Sequence, residues 1–265
     1  FNRLKSGVTD FDKLFGEGLL PGAAITLTAQ AGCGKTTFAL QLLEHLSQAG
    51  YDTAYASGEE NQYQLAFTCK RLDVKAVKIA NITDIDTIAD AMDDNDIIVV
   101  DSFQALTVKT KMNSRALEQY AVSTLCNKAK ESECVVIFIM HLTKSGQLKG
   151  TSLVPHSVDV NMMISHDLER DDDTTRIISV SKNRFGQTID VQAILGCKGF
   201  HIGTKVTSGR KAKSKKDRRA SLKEDILKLD PPAITEQRIM STFSLTKGQT
   251  YVVLKQLVDD KKLRK

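Results

Sequence analysis

From Ala24 onward, short runs of apolar and β-branched residues alternate with amphipathic stretches. The runs AITLTA (24–29), TAYAS (53–57), IIVVD (97–101) and VVIFIM (135–140) are strand-sized and nearly continuous in their apolar character. Strands of that kind must be covered on both faces. Between them QLLEHLSQ (41–48), QYQLAFTCKRL (62–72) and the stretch from Ala116 to Lys130 carry helical spacing. The predicted α/β core is therefore a doubly wound, mostly parallel sheet. Three later runs, VDVNMMI (158–164), TTRIISVSKN (174–183) and TIDVQAIL (188–195), follow without intervening helical stretches. They predict an antiparallel extension of the same sheet.

Past residue 203 the texture changes. Residues 204–220, TKVTSGRKAKSKKDRRA, hold eight basic residues and almost nothing apolar, which predicts a solvated linker. Residues 221–265 show three short helical patterns broken at Pro231-Pro232 and near Leu245-Thr246. They predict a small all-α module of helix-turn-helix or winged-helix type, with a partner-binding helical tail as the other reading. The division is thus a main α/β domain over 1–203, the linker over 204–220, and the module over 221–265.

Charge sharpens this division. Residues 204–265 contain 17 Lys/Arg against 7 Asp/Glu, which leaves 20 against 25 for residues 1–203 out of totals of 37 and 32. The net +5 of the whole chain hides a basic C-terminal part suited to a polyanion. With 41% hydrophobic and 26% charged residues, the 265-residue chain is ordinary globular protein rather than disordered or collagen-like. No apolar run approaches the ~18 residues of a membrane span, and the first residues, Phe-Asn-Arg-Leu-Lys-Ser-Gly, hold no apolar signal core. A cytoplasmic protein without membrane contact is expected. The five cysteines, Cys33, Cys69, Cys126, Cys134 and Cys197, are widely spaced and form no CxxC pair, as suits reduced thiols.

The segment Ala29-Gln-Ala31-Gly32-Cys33-Gly34-Lys35-Thr36-Thr37 lies between a predicted strand and a predicted helix. This is the setting of a phosphate-binding loop. Gly32 and Gly34 let backbone N–H groups turn inward, Lys35 brings a point charge to the β/γ oxygens, and Thr36 offers its hydroxyl to Mg²⁺. The strict pattern opens with glycine where this chain has Ala29, which is acceptable if its φ stays negative. Asp101 ends the IIVVD run and places a carboxylate at the sheet edge where the Mg²⁺ shell lies. Glu59 and Glu60 follow TAYAS toward the same crevice, so that one of them polarises the attacking water. Ser57-x-x-Glu60 also reads as a capping box. The preferred split makes Glu59 the base and Glu60 the cap or a support behind it. Lys182 and Arg184 lie two apart on a predicted strand, and two cations on one face call for an anion. A triphosphate serves, either the molecule's own or a neighbour's; charges that blunt an edge strand are the alternative.

Taken together, SGVTDFDKLFGEGLLPG (6–22), AGCGKTT (31–37), YASGEE (55–60), VVDSFQ (99–104), HLTKSGQLKG (141–150) and KNRFG (182–186) resemble, in order, the RecA-like ATPase core of bacterial RadA/Sms proteins over about residues 6–200. DnaB-type and RepA-type hexameric helicases and KaiC share that core. The resemblance implies an ATP- and Mg²⁺-dependent enzyme with the P-loop residues 31–37 on the nucleotide, Asp101 as the Walker B carboxylate and Glu59 as the catalytic glutamate. It also implies that Lys182 and Arg184 reach the ATP of an adjacent subunit. His141 matches the polar sensor position, a loop-packing histidine being the other reading. The loops after the Asp101 strand and after His141 are expected to face single-stranded DNA in this family. Here they carry Lys109, Lys111, Arg115, Lys144 and Lys149 without an aromatic platform, which implies contact with the backbone rather than the bases.

The sequence shows neither the four-cysteine zinc finger and Lon-protease-like domain of RadA nor the N-terminal collar of DnaB. A compact plasmid- or phage-type helicase or recombination ATPase is the expectation. It is an oligomer, a hexamer by analogy, that moves on single-stranded DNA and contacts replication or recombination proteins through its C-terminal module. A strand-exchange recombinase or mediator and a KaiC-like regulatory switch are the alternatives.

Overall fold

Each of the seven apolar runs forms a strand in the computed structural model, which describes residues 2–142, 153–167 and 174–207 together with Leu254, Lys255 and Leu257. Nine strands build one sheet: β1 (Ala24–Ala29), β2 (Thr53–Ser57), β3 (Lys78–Ala80), β4 (Ile97–Asp101), β5 (Val135–His141), β6 (Val160–His166), β7 (Thr175–Asn183), β8 (Ile189–Gly196) and β9 (Gly199–Thr207), in the order β3-β2-β4-β5-β1-β6-β7-β8-β9. The helices are α1 (Thr9–Leu14), α2 (Lys35–Gln48), α3 (Gln62–Leu72), α4 (Ile85–Ala91), α5 (Ser114–Ser132) and α6 (Leu153–Ser157).

The continuous apolar character of the inner strands has the consequence expected of it. Alternate residues enter two separate cores. Ile97, Val99, Ile137 and Ile139 pack with Phe38, Leu42 and Leu46 of α2. Ile98, Val100, Val136 and Phe138 pack with Ile85 and Ile88 of α4 and with Leu125 and Ala129 of α5. Edge-on ring contacts, Phe38 with Phe200 at 5.7 Å and Phe103 with Phe138 at 5.4 Å between centroids, seat one helix face and one loop against the sheet.

The VDVNMMI run departs from the sequence reading. It forms β6, which lies parallel to β1 with Ile25 opposite Val160 and Ala29 opposite Ile164. Parallel neighbours need a crossover, and α6 lies in that connection as one short turn with a proline inside it, too brief to leave helical periodicity in the sequence. The antiparallel extension begins one strand later, with β7, β8 and β9.

The chain divides into two compact units, Phe1–Ser208 and Gly209–Lys265. In the first, β9 runs through Thr207 and pairs Asp190 with Thr207 and Val191 with Val206. The strand thus occupies the first four residues of the stretch read as linker from 204, because Thr204, Val206 and Thr207 are good strand formers among the basic residues. The rest of the linker and nearly all of the 221–265 module lie outside the described residues.

Candidate functional site

Six strands, β3, β2, β4, β5, β1 and β6, point the same way, so their carboxyl ends form one edge where the following turns converge. Ala29 is the last residue of β1 and keeps strand conformation, so a side chain in place of glycine is accommodated there. Two turns of the loop do require glycine: Gly32 has φ +81° and Gly34 φ +96°. At Gly34 space also forbids a side chain, since a Cβ would meet Leu195 Cδ2 at 2.9 Å and the Phe200 ring at 3.0 Å. Cys33 turns its thiol into the core, leaving only its backbone to the loop.

The loop borders a cavity of about 530 Å³ whose wall includes Ala31, Gly32, Gly34, Lys35, Thr36 and Thr37. Lys35 is buried, and its ammonium donates to the carbonyls of Ala29 at 3.3 Å and Gln30 at 3.4 Å. Burial pulls its pKa below the ordinary lysine value, against the opposing pull of Asp101, Cys33 and Glu59. A cation resting on long carbonyl contacts in a dry loop is prepared for an anion.

Carboxylates from two further strand ends face it. Asp101, closing β4, is buried and accepts a short hydrogen bond from the Tyr55 hydroxyl. Burial pushes the Asp101 pKa up, Tyr55 pulls it down and Glu59 pushes it up again. Glu60 is likewise raised, by burial first and then by Asp101. The Thr36 hydroxyl stands 3.5 Å from both Glu60 Oε1 and Asp101 Oδ2. Ligand atoms of Glu59, Asp101 and His141 lie within 4.8 Å of one another. Asp101 and Glu60 are both raised by burial and by a neighbouring carboxylate, and this oxygen-rich donor set around the Thr36 hydroxyl fits Mg²⁺.

Glu59 and Glu60 take different places. Glu59 Oε1 accepts from Ser102 Oγ at 2.6 Å, and His141 Nε2 lies 2.9 Å from the same oxygen. That nitrogen makes no hydrogen bond among the described residues. Glu60 faces Thr36 instead. The helix that follows is capped by Asn61, whose side chain accepts from Tyr63 N and Gln64 N while Gln64 returns a bond to Asn61 N. Glu60 is therefore not the cap. Ser57 is the buried last residue of β2, and its hydroxyl donates to the Glu60 carbonyl, which forms a turn one step before the helix.

Lys182 and Arg184 are not in this cavity. Arg184 Nη1 donates to the buried Asp159 Oδ1 at 3.0 Å, and Asp159 Oδ2 accepts from Ala24 N, the first residue of β1. Lys182 donates to the carbonyls of Pro155, His156 and Val158 at the end of α6. Burial, then Arg184, pulls the Lys182 pKa down. The pair therefore stands at the amino edge of the sheet, a whole β1 strand of six residues, roughly 17 Å, from the P-loop. The anion called for by two neighbouring cations is Asp159 for one and a set of carbonyls for the other. Lys109, Lys111 and Arg115 are exposed on and just after the loop that leaves β4. Lys144 and Lys149 lie outside the described residues.

The far wall of the cavity was not visible in the sequence. Thr68 and Arg71 of α3 and Leu195 and Gly196 of β8 line it, more than a hundred residues apart in the chain. No local spacing announces them.

Sheet order, the loop after β1 and the cavity it borders define a RecA-like α/β fold with a P-loop. Comparison with known proteins agrees. A family model described as the KaiC ATPase matches residues 4–95. The DNA repair protein RadA of Haemophilus influenzae is 30% identical over 191 residues, which are 69% of this chain and 41% of that protein. The chain thus spans about two fifths of the length of the RadA relatives it matches. Among solved structures, a DnaB-like replicative helicase, described with its interactions with primase, aligns at TM-score 0.65 with 16% identity, covering 75% of this chain and 61% of that one. A KaiC-like protein of Pyrococcus horikoshii aligns at 0.61 with 18% identity, covering 76% and 99%. At those identities the structures speak for the fold alone. Among the described residues no helix is long and apolar enough to cross a membrane.

Proposed function

We propose that this protein is an oligomeric ATPase that hydrolyses ATP between neighbouring copies and uses the cycle to move along or remodel single-stranded DNA. The observation that carries the reading is the separation of the two halves of the chemistry. The P-loop and acidic cluster lie at one sheet edge, and Lys182 and Arg184 lie at the other. Within one copy they cannot meet; across two copies they can.

In this reading Lys35 and the inward backbone of Gly32 and Gly34 hold the β and γ phosphates, and Thr36 and Asp101 hold Mg²⁺. When bound, the ion neutralises charge on the phosphate oxygens. Glu59 orients the attacking water and takes its proton, while His141 beside it links occupancy of the site to the loop that follows β5. Glu60 supports Thr36 from the other side. Arg184 and Lys182 of an adjacent copy neutralise the charge that develops as the γ-phosphoryl group leaves. Lys109, Lys111, Arg115, Lys144 and Lys149 form a backbone track for DNA, and the basic C-terminal part adds a second contact with DNA or a partner protein. The RadA relatives, DNA repair proteins by name, and the fold shared with a DnaB-like helicase support DNA as the polymer.

The match to the KaiC ATPase supports a second reading, a slow switch that times protein contacts. ATP turnover measured with and without single-stranded DNA at low salt separates the two. The motor expects stimulation that fades steeply as salt rises, and the switch expects none. A forked-duplex unwinding assay beside a strand-pairing assay then divides helicase from recombinase.

A further inference from the structure

The catalytic groups occupy only one end of the nucleotide cavity. The other end is closed by the last turn of α3 and by the β8–β9 hairpin, whose turn is Cys197-Lys198. That closure is built rather than incidental. Gln41 of α2 holds Phe200 by both backbone groups, donating to its carbonyl at 3.0 Å and accepting from its N–H at 2.8 Å. A Cβ on Gly199 would meet Gln41 Oε1 at 2.6 Å. Leu195 at the same time presses against Gly34 of the P-loop.

Arg71 stands at the junction of these three pieces. Its Nη1 donates to the Cys197 carbonyl at 2.9 Å, and its Nη2 to the Thr37 hydroxyl at 3.1 Å. A guanidinium has five donors, and both acceptors here are neutral. Among the described residues no carboxylate pairs with it. A guanidinium at the wall of the cavity, held by neutral acceptors, one of them the hydroxyl of Thr37 two residues after Lys35 on α2, is matched to a phosphate.

Resting on the ATPase reading above, we infer that Arg71 and the β8–β9 turn form the nucleoside end of the site. Arg71 neutralises the first phosphate of a nucleoside 5′-polyphosphate, and Leu195 with the backbone of Gly196 covers the base. This contact is the same in ATP, in ADP and in the transition state, so it contributes uniform binding and no rate acceleration. Arg71 is thus a binding residue of another kind from Lys182 and Arg184, whose interaction is made only as charge develops.

The test is a fluorescence titration of the full chain with mant-ADP and mant-ATP in the presence of Mg²⁺, alongside steady-state ATP turnover. Arg71→Ala is expected to weaken both ligands by a similar factor, roughly 10- to 100-fold, the range for losing a charge-assisted hydrogen bond. KM rises in step while kcat stays within about twofold. Arg71→Lys keeps the charge and is expected to recover most of the affinity; Arg71→Gln keeps a donor without the charge and is not. A residue that only tethers the hairpin would make Lys and Gln equally poor and would lower Tm without nucleotide. That pattern, or unchanged mant-ADP affinity in Arg71→Ala, overturns the inference and leaves the ATPase reading standing. Wild-type protein that binds neither nucleotide overturns both.

Discussion

The two edges of the central sheet hold their charges in opposite ways. At the carboxyl edge Lys35 and Asp101 are buried and Glu60 is half-buried beside them, all with pKa values displaced by burial, and the Thr36 hydroxyl sits at 3.5 Å from two carboxylates. Tyr55 donates to Asp101, Ser102 donates to Glu59 and His141 stands beside the same Glu59 oxygen, but neither the Lys35 ammonium nor the Thr36 hydroxyl has a hydrogen bond shorter than 3.3 Å among the described residues. At the amino edge Arg184 has a buried carboxylate and Lys182 has three carbonyls. One edge is incomplete without a ligand; the other is satisfied yet keeps Arg184 more than half exposed. In the proposed reading the first edge receives the nucleotide and the exposed part of Arg184 serves a neighbouring copy.

The largest effect expected from breaking this contrast is at the incomplete edge. Lys35→Ala removes the buried cation that the loop carbonyls only loosely occupy, and ATP turnover should fall to background in a phosphate-release assay. Retention of even a tenth of wild-type turnover would refute Lys35 as the phosphate contact.

Arg184→Ala attacks the satisfied edge. Nucleotide affinity should stay within about twofold, whereas kcat should fall by roughly 10³ or more, the effect of losing an arginine finger. Equal mixing with Lys35→Ala protein should restore turnover, because an interface between the two variants joins an intact P-loop to an intact Arg184. A mixture as inactive as its parts would end the shared-site account, as would full activity in a sedimenting monomer.

A smaller effect is expected from the exposed loop after β4, which belongs to neither edge's charge cluster. Replacing Lys109, Lys111 and Arg115 together by alanine should leave DNA-free turnover unchanged. It should lower the salt dependence of single-stranded DNA binding by about 2 in the log–log slope, near 0.7 for each lost phosphate contact. An unchanged slope would return these residues to an ordinary solvated surface.

What the sequence disclosed follows the same divide. The P-loop, Asp101, Glu59 and Glu60 were legible as one cluster because each ends or closely follows an apolar strand run, and parallel topology carries all such ends to one edge. The direction of β6 was not, since the crossover through α6 leaves no helical period to read. The helix after β2 was legible over 62–72, but not its cap. Ser57-x-x-Glu60 and Asn61-x-x-Gln64 both fit a capping box, and only the burial of Ser57 in the strand decides for the second. Sequence spacing put Lys182 and Arg184 on one face, but their distance from the P-loop depends on β7 running antiparallel to β6. Arg71 was readable only as a basic residue ending a helix. Its place beside Leu195 comes from a hairpin folding back across α2, which no local pattern encodes.

The smallest effect is one of stability, and it runs opposite to activity. Burial raises the Asp101 pKa above its unfolded value of 3.8, so the folded state favours the protonated carboxyl. Its contribution is fully present below pH 3.8 and is lost as pH rises through the higher folded value; at neutral pH the charged group is a burden on the nucleotide-free fold. Asp101→Asn keeps an acceptor for Tyr55 and removes the charge. At pH 7.5 without nucleotide it should raise Tm by about 2–4 °C, the change that ~1 kcal/mol produces in a domain of this size. The gain should shrink as the pH is lowered toward 4, and turnover should be lost throughout. A variant less stable than wild type at pH 7.5 would mean that Asp101 is already compensated by Lys35 and Tyr55. The carboxyl edge would then be as settled as the amino edge, and the contrast between them would fail at its most buried residue.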